Sequence, residues 1–232
     1  MATETAVPVA DGAVELVRVR LDAELAPTDE LAHCLSDAER LRACRFVFER
    51  DRRRFIAGRA RLRHLLAARL GTRAELVELD YGPRGKPRLA GGFAGSDLRF
   101  NVSHCEGLAI YAFSRGREVG VDVEAVRELR DADAIAARFF SPHENRSYLA
   151  LDPRDRPLGF FNCWTRKEAF IKALGEGLYY PLAGFDVSLA LGEPARILRV
   201  GDVAGSACGW TLHDVDPGFA RFAAAVVVSD RA

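Results

Sequence analysis

The sequence predicts an α+β protein in two halves, each running from helices into short strands. Three observations carry that reading. First, 232 residues with 49% apolar side chains suffice for one large domain or two small ones, each with its own core. Second, capping signals open helices and glycines close them on both sides of a polar turn, Ser114 to Glu118. Third, short apolar or alternating runs follow the helices in each half. The turn sets the boundary, giving an N-terminal half over residues 1–115 and a C-terminal half over 116–232.

Val14 to Leu21 alternates apolar and polar side chains and reads as a strand, after which Pro27 to Asp29 supply turn and capping residues. Ser36 and Glu39 form a capping box for the first helix. A second helix runs from about Arg50 to Leu70 and stops at Gly71. Leu62, Leu65, Leu66 and Leu70 give it an apolar face, while Arg50, Arg52, Arg53, Arg54, Arg59, Arg61 and Arg63 crowd the remainder into a basic surface. A turn-prone stretch, Gly82 to Gly95, precedes strand-like runs at Phe100 to Val102, Leu108 to Phe113 and Val119 to Val123. Ser141, Pro142 and Glu144 open another helix, and a longer one from about Leu158 to Leu174 ends at Gly175. Strand-like runs at Phe185 to Leu191, Ala195 to Val200 and Phe219 to Val228 complete the chain. No sequence repeat links the halves.

Thirty-three basic residues balance 33 acidic ones, which excludes a disordered or collagen-like chain and a protein that binds nucleic acid through overall charge. Only Lys86, Lys167 and Lys172 are lysines; the other basic residues are arginines. Cys34, Cys44, Cys105, Cys163 and Cys208 contain no Cys-x-x-Cys pair, so they read as small buried hydrophobes in a reducing compartment rather than a disulfide framework or zinc knuckle. No basic segment leads into an apolar one at the N-terminus, and no run approaches the ~20 apolar residues of a membrane span. A cytoplasmic protein with no membrane association is the expectation.

Four short motifs carry chemistry. In Gly120-Val121-Asp122-Val123-Glu124 the two acids lie two apart on a strand and share a face. Converging carboxylates repel unless a cation sits between them, and hard oxygen ligands favour Mg²⁺; a solvent-facing strand edge explains the same pattern. In Trp164 to Lys172, Trp164, Glu168 and Lys172 are four apart and form one helical stripe, apart from a core-seeking side with Phe160, Cys163, Phe170 and Leu174. A Glu to Lys pair at that spacing is equally an ordinary surface salt bridge, and Lys167 reads as a surface residue. In Phe100-Asn101-Val102-Ser103-His104 a strand ends in a polar corner that suits phosphate better than a nucleophile–base pair, because adjacent residues rarely align a hydroxyl with an imidazole and no G-x-S-x-G elbow frames them. Gly85-Lys86-Pro87 is a turn too short for a P-loop, where Lys86 serves as a point charge on phosphate or as a solvated loop lysine.

The order and wording of these motifs resemble the Sfp-type 4′-phosphopantetheinyl transferases, whose hallmarks are a GKP turn, an F-N-x-S-H segment, a G-[IV]-D-[IV]-E strand and a W-x-x-K-E-[AS]-x-x-K helix. All four stand here in that order, and the resemblance extends from about Ser36 to Gly218. It implies two similar α+β lobes related by pseudo-twofold symmetry, with coenzyme A bound in the cleft between them. It also implies an enzyme that transfers the phosphopantetheine arm of coenzyme A to a serine of an apo acyl or peptidyl carrier protein, releasing adenosine 3′,5′-bisphosphate.

By the same resemblance, Asp122 and Glu168 hold Mg²⁺, with Mn²⁺ an alternative, and Glu124 is a ligand or supports one. Glu168 matches the general base and Lys172 the cation beside the pyrophosphate. Ser103, His104, Lys86, Arg59, Arg42 and Arg63 fall where the family contacts phosphates and adenosine. An acidic carrier partner and a monomer are expected. The chain has Cys105 where many members have Ser or Thr. The competing expectation is a nucleic-acid-binding module on the arginine-rich helix, which lacks an aromatic RNA signature or a helix-turn-helix.

Overall fold

The computed structural model describes residues 5–7, 14–22, 27–201, 203–204 and 209–230; Cys208 lies outside them. The first half contains β1 (Thr5–Val7), β2 (Val14–Arg20), α1 (Thr28–Ala32), α2 (Asp37–Ala43) and α3 (Glu49–Leu70). It continues with β3 (Leu79–Tyr81), β4 (Pro87–Leu89), β5 (Leu98–Cys105) and β6 (Leu108–Arg115). The second half comprises β7 (Val119–Ala125), α4 (Ala132–Phe139), α5 (Pro142–Leu149), α6 (Arg156–Leu174), β8 (Phe185–Val187), β9 (Ile197–Val200), β10 (Val203–Ala204), β11 (Trp210–Asp214) and β12 (Phe222–Ser229). No described helix is long and apolar enough to cross a membrane.

Both capping boxes form as the residue spacing predicts. Ser36 and Glu39 cap α2, and Ser141 and Glu144 cap α5, each by reciprocal side-chain to backbone hydrogen bonds. Gly71 and Gly175 end α3 and α6 in the left-handed conformation that glycine adopts without strain. Several elements escape the sequence patterns: α1 and the β3–β4 hairpin are too short for periodicity, and α4 lacks a side-chain cap. The strand expected over Phe185 to Leu191 is only three residues long.

β1, β2, β6 and β5 form one antiparallel sheet, and β11, β12 and β7 another. Strand periodicity then sorts the core into three clusters. Ala109, Tyr111 and Phe113 of β6 face α3, while Leu108, Ile110 and Ala112 face the other sheet. Ala223, Ala225 and Val227 of β12 likewise face α6, while Phe222, Ala224, Val226 and Val228 meet β6 and β7. The middle cluster thus joins the halves, and β6 from Leu108 to Phe113 and β12 from Phe222 to Val228 are apolar because both their faces are covered. The β5–β6 hairpin turns on Glu106 and Gly107, both at positive φ, and Glu106 reaches across to Arg221 at 3.0 Å.

Four expectations are corrected. Lys167 is fully buried, paired with Glu144 at 2.7 Å and donating to the Leu182 and Phe185 carbonyls. Trp164 does not stand apart from the core-seeking side: one turn from Phe160, it stacks on that ring and meets Phe139 edge-on. The arginine-rich face of α3 is largely ion-paired, with Arg52 and Arg53 on Glu49, Arg54 on Asp22, and Arg59 and Arg63 on Glu39. Among the cysteines, Cys34 and Cys163 are buried, Cys105 is half-buried and Cys44 is exposed, so Cys44 departs from the buried expectation.

Candidate active site

Three elements converge where the halves meet: the end of β5 with Ser103 and His104, β7 with Asp122 and Glu124, and α6 with Glu168 and Lys172. Gly120 makes their approach close. A Cβ there would collide with the Ala169 carbonyl and the Ala173 backbone, so glycine lets α6 lie directly on β7. One helical turn separates Glu168 from Lys172, and both therefore overlook Asp122.

Lys172 Nζ donates to Asp122 Oδ1 at 2.6 Å and to Ser103 Oγ at 3.1 Å. Ser103 Oγ donates to the same Asp122 oxygen at 2.9 Å and accepts the Val123 N–H at 3.3 Å. Asp122 is 3% exposed, and its Oδ2 is buried with no partner among the described residues. An orphaned carboxylate oxygen in a dry site is costly unless a cation or donor reaches it.

The neighbouring carboxyls register the same crowding. Burial, then repulsion from Asp122, pushes the Glu168 carboxyl up to about 7, against the pull of Lys172. Burial and Asp122 also raise Glu124, offset by a hydrogen bond with the Cys105 thiol and by Lys172 and Arg127. His104 is exposed to solvent, yet the water it loses to surrounding protein, then the Lys172, Arg59 and Arg42 charges, hold its pKa below the usual histidine range.

The other candidate cations are distributed around this centre. Arg42 is exposed, with its guanidinium 5.2 Å from the Phe55 ring centre. Arg59 lies over Phe55 and Tyr81 and pairs with Glu39 at 3.4 Å. Arg42, Glu39, Arg63, Phe46 and Tyr81 line a cleft of about 830 Å³. Arg63 is buried, and its guanidinium is committed to Glu39 at 2.7 Å and to the Ala74 and Val77 carbonyls. Lys86 Nζ donates to Glu118 Oε2 and to the Ala173 carbonyl, both at 2.9 Å, so the GKP turn is fastened to the last turn of α6. The residue patterns did not reveal Glu118 or Gly120 as organisers of this junction, because their partners lie far away in sequence.

Among the described residues, no three His, Cys, Asp or Glu side chains are already gathered as a metal site. The cation beside Asp122 is the Lys172 ammonium. The donor chemistry nevertheless fits a hard dication: the Asp122 charge raises both Glu124 and Glu168, Glu124 adds to the rise of Glu168, and Asp122 Oδ2 is buried with no partner among the described residues.

Two protein-family profiles match this chain. The profile of the 4′-phosphopantetheinyl transferase superfamily matches residues 118–227, and that of the 4′-phosphopantetheinyl transferase N-terminal region matches residues 25–115. The 4′-phosphopantetheinyl transferase HetI of Nostoc sp. is 39% identical over 88% of this chain and 83% of its own length. This chain belongs to the 4′-phosphopantetheinyl transferase family. The Sfp transferase of Bacillus subtilis is 30% identical over 80% of this chain and 79% of its own. The holo-[acyl-carrier-protein] synthase of Thermotoga maritima aligns with 50% of this transferase and 64% of its own chain, at 25% identity and a TM-score of 0.36. In this transferase the G-V-D-V-E strand and the W-x-x-K-E helix are packed together, while the F-N-x-S-H strand contributes Ser103 from the other half.

Proposed function

We propose that this transferase moves the phosphopantetheine arm of coenzyme A onto a serine hydroxyl of an acyl or peptidyl carrier protein and releases adenosine 3′,5′-bisphosphate. The observation that supports the reading is the buried Asp122 carboxylate, whose Oδ1 holds the Lys172 ammonium while its Oδ2 has no partner among the described residues, and whose charge raises the neighbouring Glu124 and Glu168 carboxyls. Displacement at phosphorus needs charge neutralisation and in-line placement more than covalent help. Mg²⁺, or Mn²⁺ in its place, would be held by Asp122 and Glu168, with Glu124 as a ligand or support, and supplies that neutralisation on the pyrophosphate when bound.

The chain's own residues do the rest. Lys172 donates to a pyrophosphate oxygen as a compact point charge. Glu168 takes the proton of the attacking serine as the new O–P bond forms and the bond to the bisphosphate leaving group breaks; a carboxyl near pH 7 is suited to that exchange. Arg42, Arg59 and His104 receive the phosphates at the adenosine end. Arg63 contributes indirectly, by fixing the Glu39 carboxylate that pairs with Arg59. Lys86 supports the coenzyme from the junction, where it anchors α6.

The division into lobes of residues 1–115 and 116–232, with the site between them, belongs to the same reading, as do a monomeric enzyme and an acidic carrier steered by exposed arginines. Incubation with coenzyme A, Mg²⁺ and a panel of apo carrier proteins, followed by mass spectrometry, tests it. At least one carrier is expected to gain one phosphopantetheine arm, and a panel in which none gains mass overturns the reading.

A further inference from the structure

Among the described residues β7 is an edge strand of its sheet, hydrogen-bonded to β12 on one side. Its even-numbered backbone groups face β12, as the bonds just beyond its ends show: Ser229 N–H donates to the Glu118 carbonyl, and Val126 N–H donates to the Arg221 carbonyl. The odd-numbered amides therefore face away from β12, into the buried junction, where an unpaired N–H is costly. β5 lies there, an edge strand paired to β6 on its other side, and no backbone bond joins it to β7 among the described residues. What meets the β7 amides is a row of alternate β5 side chains. Val121 N–H donates to Asn101 Oδ1 at 3.0 Å, Val123 N–H to Ser103 Oγ at 3.3 Å, and Ala125 N–H to Cys105 Sγ at 3.4 Å.

We propose that Asn101, Ser103 and Cys105 form a side-chain ladder that replaces backbone pairing between the two sheets, and that Asn101 is a positioning residue for the transfer reaction. The inference rests on the proposed function for its catalytic consequence and on geometry alone for the ladder. Each rung lies two residues from the next on both strands, so the register of β5 against β7 is fixed by side chains of three different lengths. Asp122 and Glu124 occupy the alternating positions between the rungs on β7. The middle rung, Ser103, also holds Asp122 and Lys172, so its removal would confound two roles. Asn101 is 4% exposed and has no contact with Asp122, Glu168 or Lys172 in this hydrogen-bond network, which makes it the clean probe. Cys105 supplies a second probe, of the ladder alone, because its sulfur accepts the Ala125 N–H and its thiol also bonds Glu124.

The test combines residue-resolved amide exchange by NMR with steady-state kinetics on the full chain. In Asn101→Leu, Val121 is expected to lose at least about tenfold in protection relative to the amides facing β12, which keep theirs. In the same variant kcat is expected to fall about tenfold or more while KM for coenzyme A stays within about twofold, since displacement of the reacting groups costs rate rather than adenosine-end binding. Cys105→Ser keeps an acceptor and should retain Ala125 protection, whereas Cys105→Val should lose it; this pair decides the matter if Asn101→Leu does not fold. Unchanged Val121 protection in Asn101→Leu, or equal Ala125 protection in the two Cys105 variants, overturns the ladder. Lost protection with unchanged kcat overturns the positioning role alone. A wild-type chain that modifies no carrier defeats the proposed function while leaving the exchange result to stand or fall separately.

Discussion

Helix α6 carries two lysine–carboxylate pairs of nearly equal length that serve opposite ends. Lys167 meets Glu144 at 2.7 Å with both side chains buried, and Lys172 meets Asp122 at 2.6 Å at the junction of the halves. Around the first pair the polar groups are matched. Lys167 also donates to two carbonyls, and Glu144 accepts the amides of Ser141 and Val187. Around the second they are not: Asp122 keeps an unpartnered oxygen, and two further carboxyls crowd it. A satisfied buried pair fixes α5, α6 and β8 in one arrangement, whereas an under-compensated one retains capacity for a ligand. Fold and chemistry thus occupy successive turns of the same helix.

Breaking the satisfied pair has the largest expected effect on stability. Lys167→Met leaves Glu144 buried without its cation and should cost about 3–5 kcal/mol in urea unfolding; a loss no larger than that of an exposed lysine would end the contrast between the pairs. Gly120→Ala strikes where α6 rests on β7, and should cost about 1–3 kcal/mol while lowering carrier modification, because the helix must move away from the strand that bears Asp122. Wild-type stability and turnover in that variant would show that the close approach is dispensable.

Lys172→Arg keeps the charge but replaces a compact ammonium with a broad fork, and is expected to lower turnover about tenfold with little change in stability. A pH series sharpens the comparison with a smaller effect. Without metal, in EDTA, Glu168 sits near 7 in the folded chain against an ordinary 4.5, so the folded state binds more protons between those values. Stability is therefore expected to fall as pH rises through that window, and Glu168→Gln should flatten the slope of Tm against pH.

Much of this architecture is legible in the sequence where the signal is local. The capping boxes at Ser36 and Ser141, the glycine stops of α3 and α6, and the shared face of Asp122 and Glu124 on β7 all depend on neighbours within a few residues. The motif order also points to the transferase family directly. What escapes is whatever depends on a distant partner. Spacing alone placed Lys167 on the surface, yet its burial is determined by Glu144, Leu182 and Phe185. Arg63 has the composition of a phosphate ligand, but Glu39 and two carbonyls occupy its guanidinium. Asn101 lies within a recognisable motif, but its link to Val121 spans twenty residues and two sheets.

The most direct test of the central claim is the rate at which Asp122→Asn modifies an apo carrier, measured per folded molecule at saturating coenzyme A and Mg²⁺. This substitution removes the charge from the crowded pair while leaving Lys167 and Glu144 intact. The expected rate is about 10²–10³ times lower than that of the unaltered chain, with urea stability retained or raised. A rate within a few-fold of the unaltered chain would contradict that claim.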